Sequence, residues 1–219
     1  MIHLKEVKST IKSGVELVAV SKFHPVNLIQ EAYDEGQRIF GESRVQELQS
    51  KHEVLPSDIQ WHFIGHLQAN KVKYIAPYIS LIHAVDSYKL LAEINKQAQK
   101  YNRVIPCLLE LHIAQEETKY GFTPSDCIAF LQQGEWRELH HVQIAGLMCM
   151  ASNTADETQI SNEFKKAYGL FNEVKERFFK DDAHFCIRSW GMSHDYELAM
   201  NEGATHVRIG TAIFGEREY

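Results

Sequence analysis

The sequence repeats one local pattern eight times. Each repeat begins with a short apolar run of strand-like composition, continues through a polar turn and ends in a segment whose apolar residues recur at helical spacing. This alternation is typical of β-α units around a parallel sheet. The predicted strands cover residues 16–22, 38–41, 60–65, 81–86, 104–112, 142–148, 184–189 and 206–210. Eight such units predict an α/β fold, a single (β/α)8 barrel of TIM type, and leave an open doubly wound sheet as the alternative.

Two features mark the helices between these strands. The clearest apolar stripe, with steps of three and four residues, comprises Ile160, Phe164, Tyr168, Phe171, Val174 and Phe178. We therefore expect a long helix there with this face buried. Another helix is expected to begin after Thr123, which can cap it, with Pro124 in the first helical position and Asp126 near the free N–H groups. Asp86 and Ser87 are the candidate caps of the helix after the fourth strand.

Length and composition favour one domain over residues 1–219. The chain has 219 residues, 44% of them hydrophobic, which suffices for one well-filled core but not for two domains of ordinary size. Its formal net charge of −6 provides no positive field for nucleic acid or an acidic membrane. No apolar run approaches the roughly 20 residues of a membrane span, and charged residues appear early at the N-terminus. We expect a cytoplasmic protein that binds neither nucleic acid nor membrane.

The cysteines and histidines do not form the spacings of a disulfide framework or a metal site. The cysteines are Cys107, Cys127, Cys149 and Cys186. They are widely spaced and include no C-x-x-C pair, so we expect reduced, mostly buried thiols. His62 and His66 have the i, i+4 spacing of two ligands on a helix, but the segment around them is predicted to be a strand, on which they would not converge. A structural metal is therefore not expected.

Lys22 is the first polar residue in a position that favours function. In a (β/α)8 barrel the loops after the carboxyl ends of the strands build the site, and Lys22 ends the first apolar run. Strand alternation gives it the side-chain direction of Val18 and Val20, which could be inward. A lysine inside a barrel loses solvation, so its pKa falls and its neutral amine can form an imine with an aldehyde. A lysine that extends outward to solvent is the structural alternative.

The last two predicted strands supply groups for a phosphate. Arg208 lies on the eighth strand, and Gly210 and Thr211 follow it in a turn where backbone N–H groups can approach a ligand closely. Ser189 and Ser193 are expected to donate hydroxyl hydrogen bonds to the same phosphate from the neighbouring loop. Strands one, seven and eight are neighbours only if the sheet closes. The ligand hypothesis and the predicted barrel therefore support each other.

Five segments resemble a known family, the pyridoxal phosphate homeostasis proteins, which share the barrel fold of the alanine racemase N-terminal domain. These segments are LVAVSK at 17–22, FGESRVQE at 40–47, WHFIGHLQANK at 61–71, GMS at 191–193 and VRIGTAIFG at 207–215. The resemblance covers nearly the whole chain. The chain departs from the family pattern at Ser43, His112 and Trp190, which we expect to affect the groups around the cofactor ring.

The resemblance implies a site for pyridoxal 5′-phosphate, held covalently as an imine on Lys22. It also implies that Ser193 and the turn at Gly210 and Thr211 bind the phosphate and that Arg208 faces the pyridine nitrogen. The implied cofactor-binding set is Lys22, Ser189, Met192, Ser193, Arg208, Gly210 and Thr211. Because a guanidinium cannot accept a proton, Arg208 would disfavour the protonated pyridinium that acts as a strong electron sink.

The implied function is to bind pyridoxal phosphate and take part in its intracellular (vitamin B6) homeostasis, without dedicated catalytic turnover. Apo forms of pyridoxal phosphate enzymes are the expected partners, and a monomer is the expected state. The alternative is a pyridoxal phosphate-dependent amino-acid racemase of low activity, with Lys22 as one base. Racemases that the chain resembles add a second domain for the opposite base. A further alternative is an aldolase-type barrel whose lysine reacts directly with a sugar or keto-acid substrate.

Overall fold

Eight parallel strands close into a barrel in a computed structural model that describes residues 2–114 and 120–216. The strands are β1 Glu16–Val20, β2 Ile39–Glu42, β3 Gln60–Phe63, β4 Leu81–Val85, β5 Ile105–Leu111, β6 Val142–Cys149, β7 Ile187–Met192 and β8 His206–Ile209. Each strand pairs with the next in the chain, and β8 pairs with β1. The predicted barrel is therefore confirmed, and the open sheet is excluded.

Helices follow the strands and cover the outside of the barrel. In the described residues the α-helices are α1 Leu4–Thr10, α2 Val26–Asp34, α3 Val45–His52, α4 Val72–Ile75, α5 Tyr88–Lys100, α6 Pro124–Gln133, α7 Glu157–Phe178, α8 Tyr196–Asn201 and α9 Thr211–Phe214. Short 3₁₀ turns cover Ala69–Lys71 and Glu135–Glu138. Outward-facing strand residues pack against these helices in the main core, as Trp61 and Phe63 of β3 do. None of the helices in this part of the chain is long and apolar enough to cross a membrane.

The seventh strand differs most from its predicted position. It runs from Ile187 to Met192 instead of covering 184–189. Phe185, which made the earlier start attractive, is fully buried outside the strand, with its ring stacked on Phe171 and Phe179. A buried aromatic residue in a loop therefore gave an apolar pattern that resembles the start of a strand. The shift places Ser189 inside the strand and not at its end, next to the loop.

The long helix α7 is confirmed, but its predicted buried face is wrong at two positions. Ile160, Phe164, Phe171 and Val174 are buried as expected, and Ala167 and Leu170 are buried as well. Tyr168 is 40% exposed and Phe178 only half-buried. Tyr168 lies at the edge of the apolar stripe, where its ring packs over Arg188 and beside Gly203.

The predicted helix caps are confirmed in part. Thr123 Oγ1 accepts the N–H of Asp126 at 3.2 Å, and Pro124 opens α6. Ser87, not Asp86, caps α5 by accepting the N–H of Leu90 at 3.4 Å. The Asp86 carboxylate instead pairs with the imidazole of His66 at 3.3 Å, which removes it from the cap.

The cysteines are free thiols, as predicted. Three of them are buried and Cys186 is exposed. Burial raises the pKa of the Cys127 thiol to about 12 and that of Cys107 further. These buried thiols are therefore inert at neutral pH.

Candidate cofactor site

Lys22 lies in the turn after β1, two residues beyond the end of that strand, and is half-buried. The next residue, Phe23, has φ of 67°, which is unusual for a residue other than glycine. Backbone hydrogen bonds hold the turn on both sides of the lysine. The N–H of Ser21 donates to Gly41 O at 3.0 Å, and the N–H of Phe23 donates to Glu47 Oε1 at 2.6 Å. The position of Lys22 is thus tied to the loop after β2.

A buried group of polar side chains, which we call the support cluster, lies beneath this turn. It consists of Ser21, Glu42, Glu47 and Lys51. The ammonium of Lys51 donates to Ser21 O at 2.8 Å and to Oε1 of both Glu42 and Glu47 at 2.7 Å. Ser21 Oγ donates to Glu42 Oε1 at 2.6 Å. Burial raises the pKa of Glu42 to about 7, although Lys51 and the hydrogen bonds from Lys51 and Ser21 oppose the rise.

We did not predict Lys51 or its role from the sequence. The lysine is 4% exposed on α3 and makes three hydrogen bonds, which use all three donors of its ammonium group. A lysine in a charged helical segment is ordinarily at the surface. The available indication was the pair of glutamates in FGESRVQE, at 42 and 47, followed by a lysine at i+4 from the second.

Arg208 lies inside the barrel, 4% exposed, beside Val18 of β1. Its Nη1 donates to both O and Oγ of Ser189 at 2.7 Å, and its Nη2 donates to Cys149 O at 2.9 Å. A guanidinium has five N–H donors. These three bonds leave the Nε–H and the second Nη2 hydrogen for further acceptors. Burial lowers the pKa of Arg208, but a guanidinium keeps its proton, so these two donors suit an unprotonated acceptor.

Glu110 of β5 is a second buried charge near this arginine, and we did not predict it. The side chain is 5% exposed, and its Oε2 has no hydrogen-bond partner in the described part of the chain. Burial raises the pKa of Glu110 to about 7, the charge of Asp86 raises it as well, and the charge of Arg208 opposes the rise. A carboxyl group that is largely protonated below neutral pH therefore lies within electrostatic range of the guanidinium. A glutamate within the apolar run 105–111 was the available indication.

Replacing Glu110 by glutamine is expected to change the pH dependence of stability. The pKa of Glu110 is raised from 4.5, so its contribution is fully present below about pH 4.5 and is lost as pH rises through about 7. Relative to Glu110→Gln, the wild type should lose at most about 3 kcal/mol of unfolding free energy across that window. Urea unfolding at a series of pH values measures the difference. Glu138→Gln, at an exposed position, is the control, and a parallel pH profile for Glu110→Gln would contradict the raised pKa.

The loops after β7 and β8 meet beside the Lys22 turn. The N–H of Gly210 donates to Ser193 Oγ at 3.2 Å, which joins the two loops. A Cβ at Gly210 would lie 3.0 Å from Val20 O, so a larger residue would need β1 or β8 to shift by a few tenths of an ångström. Thr211 is exposed at the start of α9. The structure thus brings together at one end of the barrel the predicted lysine, serine and glycine.

Two other predicted site residues lie on β7. Met192 is half-buried at the end of the strand, and its N–H donates to Asp195 Oδ1 at 2.5 Å. Ser189 is fully buried inside the strand, where its Oγ contacts Arg208 and His83. The expectation that Ser189 acts from the phosphate loop is therefore wrong in its placement, because β7 extends three residues beyond it. Its hydroxyl serves Arg208 instead.

The departures from the family pattern have different surroundings. Trp190 is fully buried in the main hydrophobic core, so its substitution concerns packing and not the site. The main chain of Ser43 lies so close to Gly65 that a Cβ there would be 2.6 Å from Ser43 O.

Among the described residues no group of three or more histidine, cysteine or acidic side chains could hold a metal ion. His62 and His66 do not converge, since His66 pairs with Asp86.

The fold and these residues define a class, that of parallel eight-stranded barrels with a lysine after β1 and a glycine turn after β8 that is joined to the loop after β7. The sequence matches the family model for the alanine racemase N-terminal domain over residues 3–218. It is 40% identical over 205 residues to the pyridoxal phosphate homeostasis protein of Aquifex aeolicus, covering 93% of this chain and 88% of the relative. The mouse protein of the same name is 38% identical over 213 residues, covering 93% and 77%. The chain belongs to the pyridoxal phosphate homeostasis protein family.

Solved structures agree with this assignment. PipY of Synechococcus elongatus without pyridoxal phosphate superposes with a TM-score of 0.89 at 37% identity, covering 97% of this chain and 98% of PipY. PipY with pyridoxal phosphate bound gives 0.86 at 36% identity and the same coverage. An alanine racemase of Clostridium difficile, 15% identical, has a TM-score of 0.76, and the match covers 99% of this chain and 56% of the racemase. That last likeness concerns the fold alone.

Proposed function

We propose that this protein binds pyridoxal 5′-phosphate as an imine on Lys22 and takes part in the homeostasis of this cofactor, without dedicated catalytic turnover. The observation that carries the proposal is the pair of unused donors on Arg208, held inside the barrel on the strand next to β1. A neutral pyridine nitrogen is an acceptor of the kind those donors require. The relative PipY, with pyridoxal phosphate bound in its structure, supports the same ligand.

Each residue has a distinct task in this proposal. When bound, the cofactor supplies an aldehyde that can condense with an amine and a ring that can accept electrons. Lys22 provides the amine, and the support cluster holds the turn that carries it. Ser193, Gly210 and Thr211 bind the phosphate, and Met192 lies beside them. Arg208 cannot accept a proton, so it keeps the ring nitrogen unprotonated and weakens the ring as an electron sink.

This assignment of Arg208 favours holding the cofactor over rapid chemistry on it. We therefore propose a monomeric, cytoplasmic carrier whose recipients are apo forms of pyridoxal phosphate enzymes. The low-activity racemase is the hypothesis against which this one is tested.

Borohydride trapping tests the proposal directly. Purified protein is mixed with pyridoxal phosphate, its absorbance is recorded, the imine is reduced, and the modified peptide is found by mass analysis. We expect one adduct on Lys22 and none in Lys22→Ala, whereas Lys96→Ala, at an exposed position of α5, should label as the wild type does. An adduct at another lysine, or one that survives in Lys22→Ala, would refute the imine assignment. Loss of optical activity from L-amino acids, absent in Lys22→Ala, would refute the assignment as a carrier.

A further inference from the structure

A row of buried imidazoles lies inside the barrel beneath Arg208. His62 of β3 is 4% exposed and His83 of β4 is fully buried. His83 Nε2 lies 3.0 Å from His62 Nδ1, and His83 Nδ1 lies 2.9 Å from Ser189 Oγ. Ser189 Oγ in turn accepts from Arg208 Nη1 at 2.7 Å. We call this continuous row, from Arg208 through Ser189 and His83 to His62, the histidine chain.

The histidine chain ends at the amino-terminal end of the barrel. A cavity of about 370 Å³ lies there, lined by the first residues of several strands, including Glu16, Gln60 and His206. His62 also lines this cavity. The rings of His62 and His206 are inclined by 25° to each other, with centroids 6.3 Å apart. The chain therefore joins the proposed cofactor site to the opposite end of the barrel.

The donor direction of the chain follows from the guanidinium. Arg208 can only donate, so Ser189 Oγ accepts from it. If Ser189 also accepted from His83, its own hydroxyl hydrogen would have no acceptor among the described residues, and burying an unsatisfied donor is costly. Ser189 therefore donates to His83 Nδ1, and His83 carries its hydrogen on Nε2 and donates to His62 Nδ1. His62 then carries its hydrogen on Nε2.

This arrangement requires neutral imidazoles, and their surroundings provide that state. Burial lowers the pKa of His62 to about 3 and that of His206 to about 4. Burial and the nearby charges of His62 and Arg208 keep the pKa of His83 well below its usual range. A charged His83 would be a donor at both nitrogens and could not accept from Ser189. The chain is thus a row of fixed tautomers at neutral pH.

We propose that His83 and His62 are positioning residues for Arg208. By taking the hydroxyl hydrogen of Ser189, His83 turns the lone pairs of Ser189 Oγ towards the guanidinium and prevents a contact between two donors. Ser189 can then anchor Nη1, while Cys149 O takes one Nη2 hydrogen, which leaves the Nε–H and the other Nη2 hydrogen for a ligand. The part of this inference that concerns the cofactor rests on the proposed function, because it assigns those donors to the ring nitrogen of pyridoxal phosphate.

The protonation state of each imidazole nitrogen in His62 and His83 tests the histidine chain without any cofactor. ¹⁵N NMR of side chains in the ligand-free protein distinguishes protonated from unprotonated imidazole nitrogens. At neutral pH we expect Nε2 protonated and Nδ1 unprotonated in both His62 and His83. A hydrogen on His83 Nδ1, or a charged ring at either position, would overturn the proposal, whether or not the protein binds pyridoxal phosphate.

Substitutions of His83 test the positioning role. Asparagine has a polar group near the place of Nδ1 and can still accept from Ser189, whereas glutamine places its amide near Nε2 and reaches only His62. We expect His83→Asn to keep an affinity for pyridoxal phosphate near that of the wild type. His83→Gln should weaken it about tenfold, as loss of one hydrogen bond to a charged group does. His83→Leu should weaken it at least as much.

The order of these variants separates positioning from bulk packing. Equal affinities for the asparagine and glutamine variants, or tighter binding by the glutamine variant, would overturn the role of Ser189 and His83. If His83→Leu does not fold, the comparison of His83→Asn with His83→Gln still tests the positioning role. If the wild type binds no pyridoxal phosphate at all, the proposed function fails, and the NMR result alone decides whether the histidine chain exists as we describe it.

Discussion

Replacing Lys51 by methionine is expected to lower the free energy of unfolding by about 3–5 kcal/mol and to reduce imine formation at Lys22. The Lys51 ammonium is the only cation of the support cluster, where it bridges Glu42 and Glu47 and bonds to the backbone of Ser21. Without it, Glu42, fully buried and with Oε2 already unpartnered among the described residues, would have no compensating charge. The cost should be smaller below pH 7, because burial has raised the pKa of Glu42 to about 7 and the carboxyl can take up a proton.

Urea unfolding at two pH values, combined with borohydride trapping, measures both effects of Lys51→Met. Lys96→Met is the control for removing an exposed lysine, and it should change stability little. The double variant Glu42→Gln, Lys51→Met should recover much of the loss, because both charges are then absent. If Lys51→Met were as stable as the control, or labelled at Lys22 at the wild-type rate, the support cluster would not hold the lysine turn.

The barrel itself was predictable because each of its strands and helices shows a local periodicity of apolar residues. Each apolar run needs only its own residues to identify a strand, and eight runs with helices between them admit few closed arrangements. Lys22 and Arg208 were identified for the same reason, as charged residues in or at the end of apolar strands. The family resemblance then gave these positions their proposed roles, which local patterns alone left open.

The interior contacts of the site were not predictable, because they join residues far apart in the chain. His83 and Ser189, which are in hydrogen-bond contact, are 106 positions apart, and Lys51 bonds to Ser21 across 30. No periodicity relates such pairs, since only closure of the barrel brings them together. The sequence does not show whether a histidine is buried or exposed. We therefore could not tell from it which of the twelve histidines of this protein form the buried histidine chain.

The close contact between β6 and β7 was also invisible in the sequence, and it depends on Gly146. This residue has φ of 155°, and a Cβ there would lie 1.8 Å from Ile187 O, in the backbone of the next strand. The carbonyl cannot move aside as a flexible side chain could. Gly146 is paired with Ile187 at the start of the β6–β7 ladder, so an added methyl group would separate the strands where the ladder begins. Closure of the barrel thus requires glycine at this position.

Replacing Gly146 by alanine is therefore expected to destabilise the protein by more than about 4 kcal/mol, beyond the effect of most single substitutions. Gly169, in the middle of α7, provides the matched control, because its added Cβ would have no atom within 4 Å apart from its chain neighbours and the backbone of its own helix. There alanine should stabilise by up to about 1 kcal/mol, since it is the better helix former. Thermal and urea unfolding of both variants measure the contrast. A stability change of about 1 kcal/mol or less is typical of a single substitution. If Gly146→Ala changed stability by no more than that, β6 and β7 would be able to separate without opening the barrel.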